Sequence, residues 1–449
     1  MRLMPMAARR IKDRSPKEKR EPLARLLQQQ GGQPNGPSAA TTPVTPPTPM
    51  GNALLHPDAA PMFKLLDRAF EMGVYPYQIP LEGKSGARVQ IGGRSVLMLS
   101  SYDYLGLIGH PDVDASAVEA IKKYGTGTGG VRLLTGTNDL HHQLERQLAD
   151  FKGTSAAVLF TTGYLANLAV ISTLLTRNDR VILDALAHRS LIDACELAHV
   201  PIRRFRHNDM DSLREKLATR PFGRRTLIVA EGVYSMDGDI CPLPALVALK
   251  KKYGAFLMID ESHSLGVLGA TGRGVDEHFG LASNDVDIWT ASLSKAIPSN
   301  GGFAAVSREV AVYLQHAAAP FIFSAALCPA AVAAICTALT ILRAEPERVA
   351  TLNRNATLLR NGLRELGYNL GNSVTPIVPV MLRSEMAAVT MARSLRDLGV
   401  LVTPVIFPAV PLGEARLRLC VSAGHSAADL EFALAAFSQV RSPHAVTPP

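Results

Sequence analysis

The run "VDIWTASLSKAIPSNGG" (residues 286–302) begins as an apolar stretch that reads as a buried strand. It leads to a single lysine, Lys295, set between serines and a glycine pair. A lysine of no special purpose sits among other charges on a solvated helix face. This one follows a strand directly. Working outward, the same construction recurs. "AAVLF" (156–160), "RVILD" (180–184), "TLIVAEG" (226–232) and "AFLMID" (255–260) are short apolar runs. Between them, "HHQLERQLADF", "NLAVISTLL" and "LPALVALKKKY" carry helical apolar spacing. That rhythm predicts a mostly parallel sheet covered by helices on both faces. Beyond about residue 330 the pattern shifts to a long helix and then "IVPVML", "LVTPVIF" and "ARLRLCVS", a smaller mixed α/β unit. No internal repeat is visible.

With 449 residues, 47% of them hydrophobic, the chain has ample material for a large core and for two or three structural units. Its formal net charge of +8 is concentrated at one end, where residues 1–30 hold nine Lys/Arg against three Asp/Glu. The body is near neutral, which argues against nucleic-acid binding by the folded part. Residues 31–50, "GGQPNGPSAATTPVTPPTPM", predict a disordered linker. Five scattered cysteines, without a CxxC pair, suit a reducing, cytoplasmic setting and supply no metal site. No apolar run follows the basic start, so no secretory signal is expected. The Ala-rich run "SAALCPAAVAAICTALTIL" carries a proline and reads as a buried helix, not a membrane span. The expected division is a basic tail and linker over 1–50, an N-terminal segment over 51–105, a large domain over 106–330 and a small C-terminal domain over 331–449.

In open α/β sheets, ligands sit beyond the carboxyl ends of strands. "AAVLF" leads into Thr161, Thr162, Gly163 and Tyr164 and then a helix, a place where backbone amides bind anions. "TLIVAEG" leads to Ser235, "AFLMID" ends on Asp260 with His263 three positions on, and "DIWTAS" ends on Ser292 with Lys295 three positions on. Singly, each has an ordinary explanation as a cap or a satisfied buried group. Together, an anion cup, a carboxylate, a histidine, hydroxyls and one lysine suit a pyridoxal phosphate site. The lysine carries the cofactor, the cup takes its phosphate and the carboxylate faces the pyridine nitrogen.

The chain resembles the α-oxoamine synthases, pyridoxal-phosphate enzymes of fold type I, from about Val74 to about Phe437. The motifs are "SSYDYLGL", "YGTGTGGVRLLTGT", "HHQLERQLADF", "FTTGYLAN", "EGVYSMDGDICPL", "MIDESHSLGVLGATGRG", "SLSKAIPSNGG" and "ARLRLCVSAGH". The resemblance implies a large domain built on a mostly parallel seven-stranded sheet, with a smaller C-terminal α/β domain. It makes Lys295 the cofactor-binding lysine, Asp260 the partner of the ring nitrogen and His263 that of the phenolic oxygen. His141 is the histidine that stacks on the ring and orients the substrate. Thr162, Gly163, Tyr164, Ser235 and Ser292 line the cofactor, and Arg418 grips the amino acid's carboxylate. Ser324, in "FIFSAALCP", reaches the phosphate of the neighbouring subunit, which implies a homodimer with shared sites.

The reaction implied is a decarboxylating condensation of a small amino acid with an acyl thioester, giving an α-amino ketone. Two alternatives are a catalytically silent partner subunit, which would lose the lysine retained here, and an aminotransferase-like reaction. One branch of the family has a basic run ahead of its Tyr-Pro pair, suited to an acyl chain ending in a carboxylate. Here "FEMGVYPY" (70–77) holds no Lys or Arg, so an acyl group without a terminal carboxylate is expected. Family members often have Asn where Tyr102 or Asp103 stands, beside the substrate, which leaves glycine, alanine and serine open. The tail "RSPKEKREPLARLLQQQG" resembles linkers beside carrier proteins of assembly lines, so an acyl carrier protein is a candidate donor.

Overall fold

The computed structural model describes residues 75–219, 225–407 and 409–440, with scattered positions between 63 and 71. The tail and linker expected over 1–50 lie outside the described residues. The described residues from Leu66 onward pack as one unit holding three sheets. A first hairpin, β1 (Arg88–Ile91) and β2 (Arg94–Met98), turns on Gly92 and Gly93. Both have positive φ, as a two-residue hairpin loop demands.

The central sheet has seven strands: β3 (Ala156–Phe160), β4 (Arg180–Asp184), β5 (Ile202–Phe205), β6 (Thr226–Glu231), β7 (Phe256–Asp260), β8 (Ile288–Ser294) and β9 (Pro298–Val306). Their spatial order is β3-β9-β8-β7-β6-β4-β5. Only β9 runs antiparallel to its neighbours. Successive residues explain why these strands read as unbroken apolar runs. Along β6, Ile228 and Ala230 enter one buried cluster, while Leu227 and Val229 enter another on the opposite face. β7 alternates likewise, Leu257 and Ile259 against Met258. Helices cover both faces, so neither face is polar. The mostly parallel seven-stranded α/β architecture agrees with the fold class expected from the sequence.

A third core lies under β10 (Ile377–Arg383), β12 (Thr403–Val405) and β13 (Ala415–Cys420), an antiparallel sheet in the order β10-β13-β12. The short strand β11 (Val400–Leu401) instead pairs parallel with β2. The run "LVTPVIF" therefore serves two sheets, interrupted at Val402. Pro404 lacks an N–H, and β12 is an edge strand, where that lack is tolerated.

Two strands carry no apolar-run signature. β5, "IRRF", is the sheet's edge, and Arg203 and Arg204 are exposed there. β9 starts on Pro298 and contains Gly301 and Gly302, a composition that reads as a turn. The Ala-rich run forms the largely buried helix Pro329–Ala344. Among the described residues no helix is long and apolar enough to cross a membrane.

Candidate active site

The carboxyl ends of β6, β7 and β8 converge, and Asp260 is the last residue of β7. It is buried, accepting at Oδ2 from Asn167 Nδ2 (2.7 Å) and at Oδ1 from the Ser262 N–H (2.9 Å). Asn167 lies on the helix Gly163–Leu174, which follows β3. Its amide also donates to Ser190 Oγ (2.9 Å) and accepts from the Thr290 hydroxyl (2.7 Å). The carboxylate is thus aimed by a side chain that is itself fixed at both ends. Glu231 closes β6 in register with Asp260 and accepts from the His188 N–H at 2.6 Å. Burial, and then the neighbouring Asp260, push the Glu231 carboxyl well above its usual range.

Lys295 lies in the three-residue turn between β8 and β9. Among the described residues it forms no hydrogen bond or ion pair at contact distance. Burial holds its amine below the ordinary lysine range; Asp260 opposes this and Arg418 adds to it. His263 Nδ1 lies 2.9 Å from the Tyr104 hydroxyl, and Tyr102 meets the imidazole edge-on at 5.7 Å. Burial, reinforced by the charges of Lys295 and Arg418, drives the His263 pKa well below 6.5, so the ring is neutral at physiological pH.

Arg418, on β13, is buried and donates through Nε to the Ser235 carbonyl and through Nη1 to Cys420 Sγ (3.2 Å). Its guanidinium lies 4.7 Å from the centre of the Tyr102 ring, a cation–π arrangement. Nη2 has no hydrogen-bond partner among the described residues. Of the adjacent residues 102 and 103, only Tyr102 faces the site. Asp103 turns inward, and its Oδ1 accepts from the Leu107 N–H at 2.8 Å.

Thr162 caps the helix Gly163–Leu174, its hydroxyl accepting from the Leu165 N–H at 3.1 Å. A Cβ on Gly163 would stand 2.7 Å from Ser292 Cβ, and one on Gly302 would collide with the backbone of Thr162 and Gly163. The helix start therefore rests directly on β8 and β9. The Ser292 N–H donates to Ser262 Oγ (2.9 Å), and Ser292 Oγ is 2.7 Å from Ser294 Oγ. Tyr164 is exposed, with its hydroxyl on Asp193.

Among the described residues, neither His141 nor Ser324 makes a hydrogen bond to Lys295, Asp260 or His263. His141 is fully buried on the helix Asp139–Lys152, whereas His142 beside it is exposed. The Asn138 N–H donates to His141 Nδ1 (3.2 Å), so the ring proton sits on Nε2 and points at the Leu327 carbonyl, 2.9 Å away. Burial, then Arg132, lower the His141 pKa. Ser324 is half-buried in the segment leading to Leu327, which bridges to Val131 through Ala325.

Asn167, Glu231, His188 and Tyr104 were not singled out from the sequence. Asn167 and Tyr104 stand inside quoted motifs, but an amide in a helix or a tyrosine in a loop has ordinary readings. The informative signal is the strand register, which sets Glu231 beside Asp260.

The aminotransferase class I and II family matches residues 94–437, and the chain belongs to that family. An 8-amino-7-oxononanoate synthase of Geobacter sulfurreducens is 44% identical over 378 residues, covering 84% of this chain and 96% of that protein. A serine palmitoyltransferase of Sphingobacterium spiritivorum is 41% identical over 364 residues, covering 81% and 91%. A solved serine palmitoyltransferase structure, described as holding a PLP internal aldimine, superposes with a TM-score of 0.83 at 37% identity, covering 85% of this chain and 97% of that one. Within the class, these relatives place the chain among the α-oxoamine synthases.

Proposed function

We propose that the protein condenses a small amino acid with an acyl thioester, releasing carbon dioxide and giving an α-amino ketone, with pyridoxal 5′-phosphate as cofactor. The observation that carries this is Lys295: a half-buried amine of lowered proton affinity, without a hydrogen-bond partner among the described residues, near the carboxylate of Asp260. The surrounding residues fit the cofactor. Asp260 would hold the ring nitrogen, His263 the phenolic oxygen and Lys295 the aldehyde, with His141 stacking on the ring. Thr162, Gly163, Tyr164, Ser235 and Ser292 would hold the phosphate and the ring edge. The tight Gly163–Gly302 contact keeps side chains off the helix start, where backbone N–H groups favour an anion.

Bound here, pyridoxal phosphate would supply an electron sink for the pair left at the amino acid's Cα. Arg418 offers Nη2, the nitrogen of its fork without a hydrogen-bond partner among the described residues, to the substrate carboxylate. Tyr102 covers the guanidinium and fixes its plane. With its lowered pKa, Lys295 takes the Cα proton near neutral pH and returns one after carbon dioxide leaves. Neutral His263 supplies a hydrogen bond without adding charge.

Titrating the cofactor-loaded protein with glycine, alanine and serine, and following the cofactor's absorbance, identifies the amino acid. Carbon dioxide release across a thioester panel then tests the condensation. A protein that stays colourless with pyridoxal phosphate, or in which borohydride does not fix the cofactor to Lys295, refutes the proposal.

The same reading makes the enzyme a homodimer in which Ser324 reaches the neighbour's phosphate. Restored turnover on mixing inactive Lys295→Ala and Ser324→Ala chains is the expected sign. A carrier-bound acyl donor would dock through the tail, and unchanged turnover of carrier- and CoA-linked donors after removal of residues 1–50 rules that out. Five unpaired thiols support a cytoplasmic setting.

A further inference from the structure

Beside the Ser235–Arg418 contact, at the carboxyl ends of β4 and β6, lies a cavity of about 330 Å³. That is within the size of small-molecule sites, roughly 300–1,000 Å³. Leu186, Tyr234, Met236, Phe407, Val410 and Pro411 supply apolar walls. Leu186 and Phe407 remain exposed at its edge. Ser235 lines the cavity, and its carbonyl receives Arg418 Nε, so the space adjoins the place where the amino acid's carboxylate would be gripped.

The one cation in the lining is already engaged. Arg416 is almost wholly buried, and every nitrogen of its guanidinium has a partner. Nε donates to the Glu414 carbonyl (3.0 Å), Nη1 to Asp237 Oδ1 (2.7 Å) and the Met236 carbonyl (3.2 Å), and Nη2 to Glu414 Oε2 (3.1 Å). Two carboxylates thus answer one guanidinium. An anionic group entering here would lose water, find no free donor on Arg416 and meet an excess of negative charge. An uncharged hydrocarbon tail meets none of these costs and gains burial, about fourfold in affinity for each methylene covered.

We infer that this cavity takes the tail of the acyl thioester and selects chains with an uncharged end. The inference rests on the condensation proposed above and assigns a location and a selectivity to its second substrate. The specificity device is repulsive as well as attractive: apolar walls accept the alkyl chain, and the Asp237–Arg416–Glu414 group rejects a terminal carboxylate.

The test uses the cofactor-loaded full chain with acetyl, decanoyl and ω-carboxy-decanoyl thioesters. The wild type should prefer decanoyl over its ω-carboxy analogue by at least tenfold in kcat/KM. Leu186→Trp, which fills the edge of the cavity, should lower the decanoyl-to-acetyl ratio of kcat/KM by about tenfold. Phe407→Arg, which adds a free cation there, should shift the preference toward the ω-carboxy chain by a similar factor. In both variants the amino-acid-dependent absorbance change, which reports an intact site, should keep its half-saturation. Turnover whose chain selectivity is blind to both substitutions, or a wild type that favours the ω-carboxy chain, overturns the subsite alone. Absence of carbon dioxide release with every thioester overturns the condensation, and the subsite with it.

Discussion

Two lysines serve opposite faces of the central sheet, and they could hardly be used more differently. Lys152 is wholly buried, with donors on Glu261 Oε2 (2.6 Å), Asp276 Oδ1 (3.0 Å) and the Arg273 carbonyl (3.0 Å), and lies 3.9 Å from the centre of the Trp289 ring. Lys295 has no such partners among the described residues. The divergence begins at two consecutive residues. Strand alternation sends Asp260 toward Asn167 and Lys295, and Glu261 toward Lys152 and the Val275 N–H. Burial raises the Glu261 carboxyl while Lys152 pulls it back. One face commits its charges to holding the fold. The other holds its acid, Asp260, with uncharged donors only and leaves the nearby amine without a partner among the described residues, which chemistry requires and stability alone would not favour.

That contrast breaks most visibly at Lys295. Lys295→Ala should lower turnover by about 10²–10⁴-fold, read as carbon dioxide release, and leave the denaturation midpoint near wild type. A large loss of stability would mean that Lys295 is structural after all. Lys152→Met should do the reverse. It strands two buried carboxylates, and unfolding free energy should fall by about 3–5 kcal/mol, measured in urea. If Lys152→Met folds as stably as wild type, the structural half of the comparison fails. Asn167→Leu removes the amide that aims Asp260, and cofactor affinity should weaken roughly 10–100-fold in an absorbance titration. Unaltered affinity would show that Asp260 needs no such support.

The smallest effect is a pH dependence. His207 joins Asp184, at the end of β4, to Asp239 beyond β6, with contacts of 2.9 and 2.8 Å. Burial alone would lower its pKa, but hydrogen bonds to the two carboxylates outweigh that and raise it to about 10. A folded-state pKa above the unfolded value stabilises fully below about pH 6.5 and is lost as pH rises through about 10. The destabilisation by His207→Gln should therefore be greatest near pH 6, about 1–3 kcal/mol, and shrink toward pH 10. A constant difference across that range would sink it.

Much of this was legible in the sequence where apolar pattern and chemistry coincide. The five apolar runs are β3, β4, β6, β7 and β8, and the exits of the last two carry Asp260, His263 and Lys295 as expected. β5 stayed hidden because an edge strand tolerates the polarity of Arg203 and Arg204, and β9 because proline and glycine signal turns. The Lys152–Glu261–Asp276 group was invisible for another reason. Alternation turns Glu261 away from Asp260, but Lys152 lies more than a hundred residues earlier, and no local spacing announces that the two meet. His141 is singled out by the resemblance alone, and its contact with Leu327 depends on tertiary packing.

The hairpin that carries Lys295 has a consequence for motion. β8 and β9 pair antiparallel on either side of a three-residue turn, Ser294 opposite Pro298, and β9 is braced against β3. No crossover loop lies beneath the amine to swing it. Its travel comes from rotation within its own four-carbon stem, which proceeds in picoseconds to nanoseconds where loop rearrangement takes far longer. In the proposed reaction the proton carrier would be a tethered arm on a fixed post, and solvent viscosity should slow substrate entry before it slows that arm.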